Sequence, residues 1–117
     1  MQNINAFDHA ETILKVLAKG AFLTTAAGGR HNTMTIGWGA LGNIWGKPVF
    51  TVMVRHSRYT HELPVIKGAG LHLECRIVEK REMAPENFDK ALADRWYADK
   101  DWHTYYTGEI TAAYLDK

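Results

Sequence analysis

Apolar residues first recur at helical spacing, with Phe7, Ala10, Ile13, Leu14 and Leu17 on one face, Asn5 and Asp8 resembling a capping box, and Gly20 placed to end the helix. This predicts a packing helix. The period then changes. Ala21 to Ala26 reads as a short strand, Gly28-Gly29 with Arg30 supplies a turn, and Asn32 to Trp38 returns as the hairpin partner. After the turn Gly46-Lys47-Pro48, the stretch Val49 to Val54 has Thr51 as its only polar residue, which predicts a central strand buried on both faces.

Arg55 ends that strand. Ser57 is a natural N-cap for a helix over Arg58 to Leu63, and Pro64 stops it within two turns. Leu71, Leu73, Cys75 and Ile77 alternate with His72, Glu74 and Arg76, so a half-buried strand follows with Cys75 pointing inward. Pro85 in a first turn, Phe88, Leu92 and Trp96 at i, i+4 spacing, and Glu86 above Lys90 predict a second amphipathic helix. Tyr97 to Thr104 is an aromatic, charged loop. The last strand, Tyr105 to Leu115, is expected to place Tyr106, Ile110, Ala112 and Tyr114 on one face around Gly108. Roughly five strands and two clear helices, joined mostly by hairpins, predict a mainly β (α+β) fold: an antiparallel barrel with peripheral helices.

Composition narrows the functional classes. A chain of 117 residues is expected to form one domain over 1–117, near the size where a partner subunit helps stability. An apolar share of 46% and a charged share of 23% are ordinary for a soluble globular protein, and no apolar run suffices to span a bilayer. With 14 basic and 13 acidic residues spread along the chain, no broad footprint for nucleic acid or membrane is expected. Cys75 is the single cysteine, which excludes an internal disulfide and cysteine-based clusters within one chain and suits the cytoplasm. The acidic, amphipathic start of the chain does not have the pattern of a signal peptide.

Candidate chemistry concentrates between Asn32 and Leu63. Gly37 to Gly42 spells G-W-G-A-L-G, but a dinucleotide fold needs those glycines to open a long helix, and only Asn43, Ile44 and Trp45 precede the next turn. The glycines are expected instead to mark a bend or a close approach. The six histidines lack ligand spacing: His56 and His61 straddle a strand-to-helix junction, His72 and Cys75 fall on opposite strand faces, and His9, His31 and His103 stand alone. No metal site is expected. Ser57, the only serine, reads as a cap rather than a nucleophile, and Cys75 as a small core residue. What remains is an anion site. Arg55 and Arg58 bring forked positive donors, Ser57 and Thr60 bring hydroxyls, and a helix start brings unpaired N–H groups. The bland alternative is a capped helix with two solvated arginines; the small, hydroxyl-rich strand Asn32 to Gly39, which lets a flat ring approach backbone groups, favours a ligand.

These residues carry a resemblance. KGAFLTT at Lys19 to Thr25, NTMTIGWG at Asn32 to Gly39, WGKPVF at Trp45 to Phe50 and R-x-S-R-Y-T at Arg55 to Thr60 resemble the flavin reductase-like family of FMN-binding split barrels, most closely its flavoredoxin-like branch. HLECR at His72 to Arg76, PENFD at Pro85 to Asp89, RWY at Arg95 to Tyr97 and HTYYTGEI at His103 to Ile110 extend the resemblance over most of the chain.

The resemblance implies a six-stranded split barrel that forms a homodimer and binds FMN near the subunit interface. It implies that Asn32, Thr33, Met34, Thr35 and Trp38 border the isoalloxazine and that Arg55, Ser57, Arg58 and Thr60 hold the phosphate. The function implied is that of a flavin reductase or flavoredoxin-type electron carrier, with NAD(P)H or a small redox protein as donor; no catalytic acid or base is required, because the flavin carries the redox chemistry. The resemblance skips between Leu63 and Pro64, where the family adds helix, a strand and a further helical segment. That shortening leaves a second expectation open, a flavin-less split-barrel-like dimer serving as a binding or structural module. Its origin, as a gap, a deletion or a naturally short form, is likewise open from the sequence.

Overall fold

The computed structural model describes residues 2–27, 30–55 and 70–115, with side chains set aside at 25–27 and 30–33. The Gly28-Gly29 turn, the cap at Ser57, the helix from Arg58 and the Leu63–Pro64 junction lie outside the described residues.

The N-terminal amphipathic stretch folds in two parts. After β1 (Gln2–Asn3), the Asn5 side chain accepts from the Phe7 N–H at 2.9 Å and caps a 3₁₀ turn over Ala6–His9, which runs into helix α1 (Ala10–Lys19). Gly20, at φ 115°, ends α1 and its N–H returns to the Val16 and Leu17 carbonyls. One turn apart, Ile13 and Leu17 are the buried residues of α1. Each enters a different cluster: Ile13 packs with Ala6, Ile110 and Ala113, and Leu17 with Met34, Ile36 and Val52, while Phe50 touches both groups. Burial of each such side chain contributes roughly 1.5–3 kcal/mol.

The predicted hairpin forms as β2 (Ala21–Ala27) and β3 (Arg30–Ile36), an antiparallel two-stranded sheet with Ala21 opposite Ile36 and Ala27 opposite Arg30. The main sheet contains β4 (Gly39–Ile44), β5 (Lys47–Arg55), β6 (Leu71–Glu82) and β7 (His103–Leu115), every neighbouring pair antiparallel. β7 is its axis. β6 covers one edge of β7, while β5 and then β1 lie end to end along the other. The fold is therefore mainly β and antiparallel, with no closed barrel among the described residues.

Several local expectations are corrected. The tight turn is Trp45-Gly46, both at positive φ (58° and 69°) as a two-residue hairpin loop demands, so Lys47 and Pro48 already belong to β5. Gly39 illustrates why a small residue is needed in G-W-G-A-L-G: a Cβ there would lie 2.5 Å from the Thr51 carbonyl oxygen of the neighbouring strand. β5 is central, between β4 and β7, but only Val49 and Val52 are buried; Lys47 is exposed and the rest is half-buried. The second amphipathic stretch is also divided. Pro85–Asn87 makes a 3₁₀ turn, Phe88 is extended, and the Asp89 carboxylate accepts from the Leu92 N–H at 3.0 Å to start α2 (Lys90–Trp96) afresh. Lys90 then pairs with Asp94, not Glu86.

Two register shifts change which residues face the core. Glu74 and Cys75 oppose Ala112 and Ile110, leaving Thr111 as an extra residue, so Ala113 rather than Ala112 joins Ile110 in the core. Tyr114 instead stacks on His72, with centroids 5.0 Å apart. The second shift leaves Val78 extra between Ile77 and Glu79.

Cys75 is the clearest departure: it is exposed, not a core residue. It borders an open concave cavity of about 1260 Å³ between the main sheet, α1 and β2, shared with Leu71, Leu73, Ile77 and Phe22. The predicted inward direction led to a space that the described residues leave open. The neighbouring strand nevertheless crowds the thiol, since a Cβ on Gly108 would meet the Cys75 Cβ at 2.7 Å, and desolvation pushes it up to about 11. The exposed area is the better guide to whether a reagent reaches the sulfur; the desolvation governs its charge.

Candidate functional site

On the opposite side of the main sheet lies a smaller recess of about 180 Å³. It forms where three segments end together. β3 contributes Met34, Thr35 and Ile36 before the chain turns through Gly37 and Trp38, β5 contributes Met53 and Arg55, and β7 contributes His103. The β5–β7 register sets Arg55 directly across from His103.

Four of the sequence-predicted residues thus meet here: Met34, Thr35 and Trp38 from the proposed ring-binding half and Arg55 from the proposed phosphate half. Asn32 and Thr33 lie on the same strand, opposite Thr25 and Thr24, with their side chains outside the description. Ser57, Arg58 and Thr60 fall outside the described residues.

Arg55 is held in a way the sequence did not indicate. Its Nη1 donates to the Asp101 carbonyl at 2.9 Å and its Nη2 to the Trp96 carbonyl at 3.3 Å, so it clips the end of α2 and the following loop to the end of β5. The guanidinium also lies 5.3 Å from the Tyr97 ring centroid and 5.9 Å from that of Trp38. A cation fixed by carbonyls and aromatic faces keeps its charge and loses its freedom to move.

Behind it stands a packed aromatic group. Trp38 meets Trp96 edge-on at 4.8 Å and His103 at 5.4 Å, while Tyr97 stacks on Trp102 at 4.8 Å and meets Phe88 edge-on. Tyr97 and His103 are buried, with the Tyr97 hydroxyl 2.7 Å from His103 Nδ1. The His103 backbone N–H donates to the Met83 sulfur at 3.4 Å. Burial pushes the Tyr97 hydroxyl above the usual tyrosine range, the neighbouring Tyr105 adds to this, and Arg55 offsets part of it.

Sequence reasoning missed Gly37, Met53, Tyr97 and His103 as site residues. His103 was read as a lone histidine and Tyr97 as part of a loop, since no periodicity links a loop tyrosine to a histidine six positions on. The signals that existed were the RWY and HTYYTGEI motifs, to which no role was attached.

The arrangement offers an aromatic wall, a fixed cation, an imidazole and, beside Gly37, backbone without a side chain. Among the described residues β3 is paired only along its β2 edge, so its other edge retains backbone donors and acceptors. Among the same residues no group of three or more His, Cys, Asp or Glu side chains is placed to hold a metal, and no helix is long and apolar enough to cross a membrane. No protein-family model, curated protein or solved structure matches this chain.

Proposed function

We propose that the chain is an FMN-binding oxidoreductase of split-barrel type, a flavin reductase or flavoredoxin-like electron carrier that works as a homodimer in the cytoplasm. The observation that carries the reading is the convergence of Met34, Thr35, Trp38 and Arg55, drawn from two separate stretches, on one recess.

The donor set fits a flavin. Trp38 supplies a flat apolar wall with an indole N–H, the open edge of β3 supplies backbone groups, and the Arg55 guanidinium brings positive charge to the recess. Bound FMN would supply the hydride or electron transfer. This chain's residues would hold the ring, exclude water from one face and stabilise negative charge with N–H donors. Ser57, Arg58 and Thr60 are the candidates for the phosphate, with Arg55 adding charge from the strand end, since two of its N–H groups already serve carbonyls. NAD(P)H or a small redox protein would be the electron donor.

A recess of about 180 Å³ is smaller than the roughly 300 Å³ at which small-molecule pockets begin, so one described chain provides part of a site. A second copy is the proposed complement. The flavin-less alternative draws on the same small volume and on Arg55 being engaged by carbonyls.

The decisive experiment is a titration of native protein with FMN and riboflavin, read by flavin and tryptophan fluorescence. Saturable FMN binding is expected, with Arg55→Ala weakening FMN more than riboflavin and Trp38→Ala weakening both. Absence of any fluorescence change in the unmodified protein would favour the flavin-less module.

A further inference from the structure

Among the described residues β6 pairs only with β7, so its outer edge presents a row of backbone N–H and C=O groups, and every residue from Glu74 to Glu82 is exposed. The middle of this edge is apolar, with Ile77 55% and Val78 38% exposed. Charges flank it in a mirror order of reversed sign: Glu74 and Arg76 come before the apolar pair, Glu79 and Arg81 after it. The bulge makes that order usable. Simple alternation would put 74 and 76 on one face and 79 and 81 on the other, but the extra residue Val78 turns the second half over. Accordingly Arg76 reaches Glu109 at 3.2 Å and Arg81 lies 4.5 Å from the Tyr105 ring centroid, and Glu109 and Tyr105, four apart on β7, share a face. The Glu74 and Glu79 carboxylates have no ion pair among the described residues.

We infer that β6 is the edge through which two copies of this chain pair, antiparallel about a two-fold axis between Ile77 and Val78. Each copy then sets Glu74 opposite Arg81, Arg76 opposite Glu79 and Ile77 opposite Val78 of the other. Directly opposed residues in such a ladder have Cβ atoms about 4.5–5.5 Å apart, so four charge pairs flank a centre of four apolar side chains. The charges also select the register. Sliding the second strand by one residue opposes residues of different faces, and sliding it by two sets Glu74 opposite Glu79 or Arg76 opposite Arg81, like against like. This names the interface of the homodimer proposed above and rests on that part of the reading, not on the flavin.

Sedimentation velocity on the full chain tests it. At about 100 μM the unmodified protein is expected to be a dimer. Glu74→Arg sets arginine against Arg81 and Arg81→Glu sets glutamate against Glu74, twice in each dimer, so each variant alone should raise the dissociation constant roughly tenfold or more. Mixed in equal amounts, the two variants again oppose unlike charges, and the mixture should return to dimer, a recovery that a merely structural role of either residue would not give. Both positions are exposed. Should either variant fail to fold, the unmodified protein decides by cross-linking, because the register sets Cys75 opposite Lys80 of the second copy. A short amine-to-thiol reagent at about pH 9 should join those two residues and double the mass. A dimer that both variants leave intact, variants whose mixture stays monomeric, a dimer without the cross-link, or a Cys75–Cys75 disulfide on mild oxidation overturns the β6 interface and leaves the homodimer standing. An unmodified protein that is monomeric at this concentration overturns both, while the FMN titration judges the flavin separately.

Discussion

The two sides of the main sheet are built on different physics. On the recess side, order comes from directional contacts: Arg55 to two carbonyls, Tyr97 to His103, Thr51 to Thr107 at 3.0 Å, and Glu109 to Lys47 and Arg76. Hydrogen bonding from Lys47 and then Arg76 holds the Glu109 carboxyl below its usual range. On the concave side, order comes from apolar burial under α1, and the described residues leave that burial unfinished, with Ile77, Phe22 and Val16 each more than half exposed. The difference separates directional contacts that close among the described residues from apolar area that those residues leave uncovered. A few precise contacts fix the recess wall without help, whereas a hydrophobic surface stabilises only in proportion to the area covered.

Substitutions that remove apolar burial, close packing or thiol reactivity in turn sharpen this comparison. The largest effect is expected from Leu17→Ala, which removes the side chain joining α1 to Met34, Ile36 and Val52. It should cost about 3 kcal/mol in urea denaturation and loosen the Met34 and Ile36 wall of the recess, while leaving the carbonyl bonds of Arg55 in place. Gly39→Val comes next, at roughly 2–3 kcal/mol by the same measurement, because the added Cβ would press on the Thr51 carbonyl and splay β4 from β5. A neutral result would break the argument that G-W-G-A-L-G is dictated by close approach. The smallest effect on stability, but a clear kinetic one, concerns Cys75. With its thiol pushed up to about 11, thiolate is scarce near neutral pH, so alkylation at about pH 8 should run roughly 100-fold slower than for an ordinary thiol. The rate should rise about tenfold per pH unit until that value is reached. Fast modification of native protein at neutral pH would show that the concave cavity is wetter than its lining implies.

What the sequence made legible follows from what periodicity encodes. The α1 face with Ile13 and Leu17, the β2–β3 hairpin and the central place of β5 all rest on local repeats, and these were readable. The β7 face was misread beyond Ile110 because one extra residue, Thr111, inverts the alternation, and nothing in the composition marks it. The break at Phe88 was hidden for a related reason: Asp89 satisfies the cap rule as well as Pro85 satisfies the first-turn rule, and the structure uses both. At the recess, Trp38 and Arg55 were visible because their residue types are conspicuous beside glycines and hydroxyls. Met53, Tyr97 and His103 were not, since their roles arise only when β5 and β7 come into register.

That register has a kinetic consequence. The β2–β3 and β4–β5 hairpins close over short loops and can form early, on the timescale of local contacts. β7 cannot be assembled in this way, because its partners Arg55 and Gln2 lie 48 and 113 positions before His103 and Leu115. Every long-range pair in the main sheet waits for this one strand, so loop-closure entropy falls on a single step and makes its docking the slow event of folding. Until then β5 and β6 present unpaired edges, the condition under which β-rich chains aggregate. The strand that aligns Arg55 with His103 is thus also the one that sets how long the nascent sheet stays vulnerable.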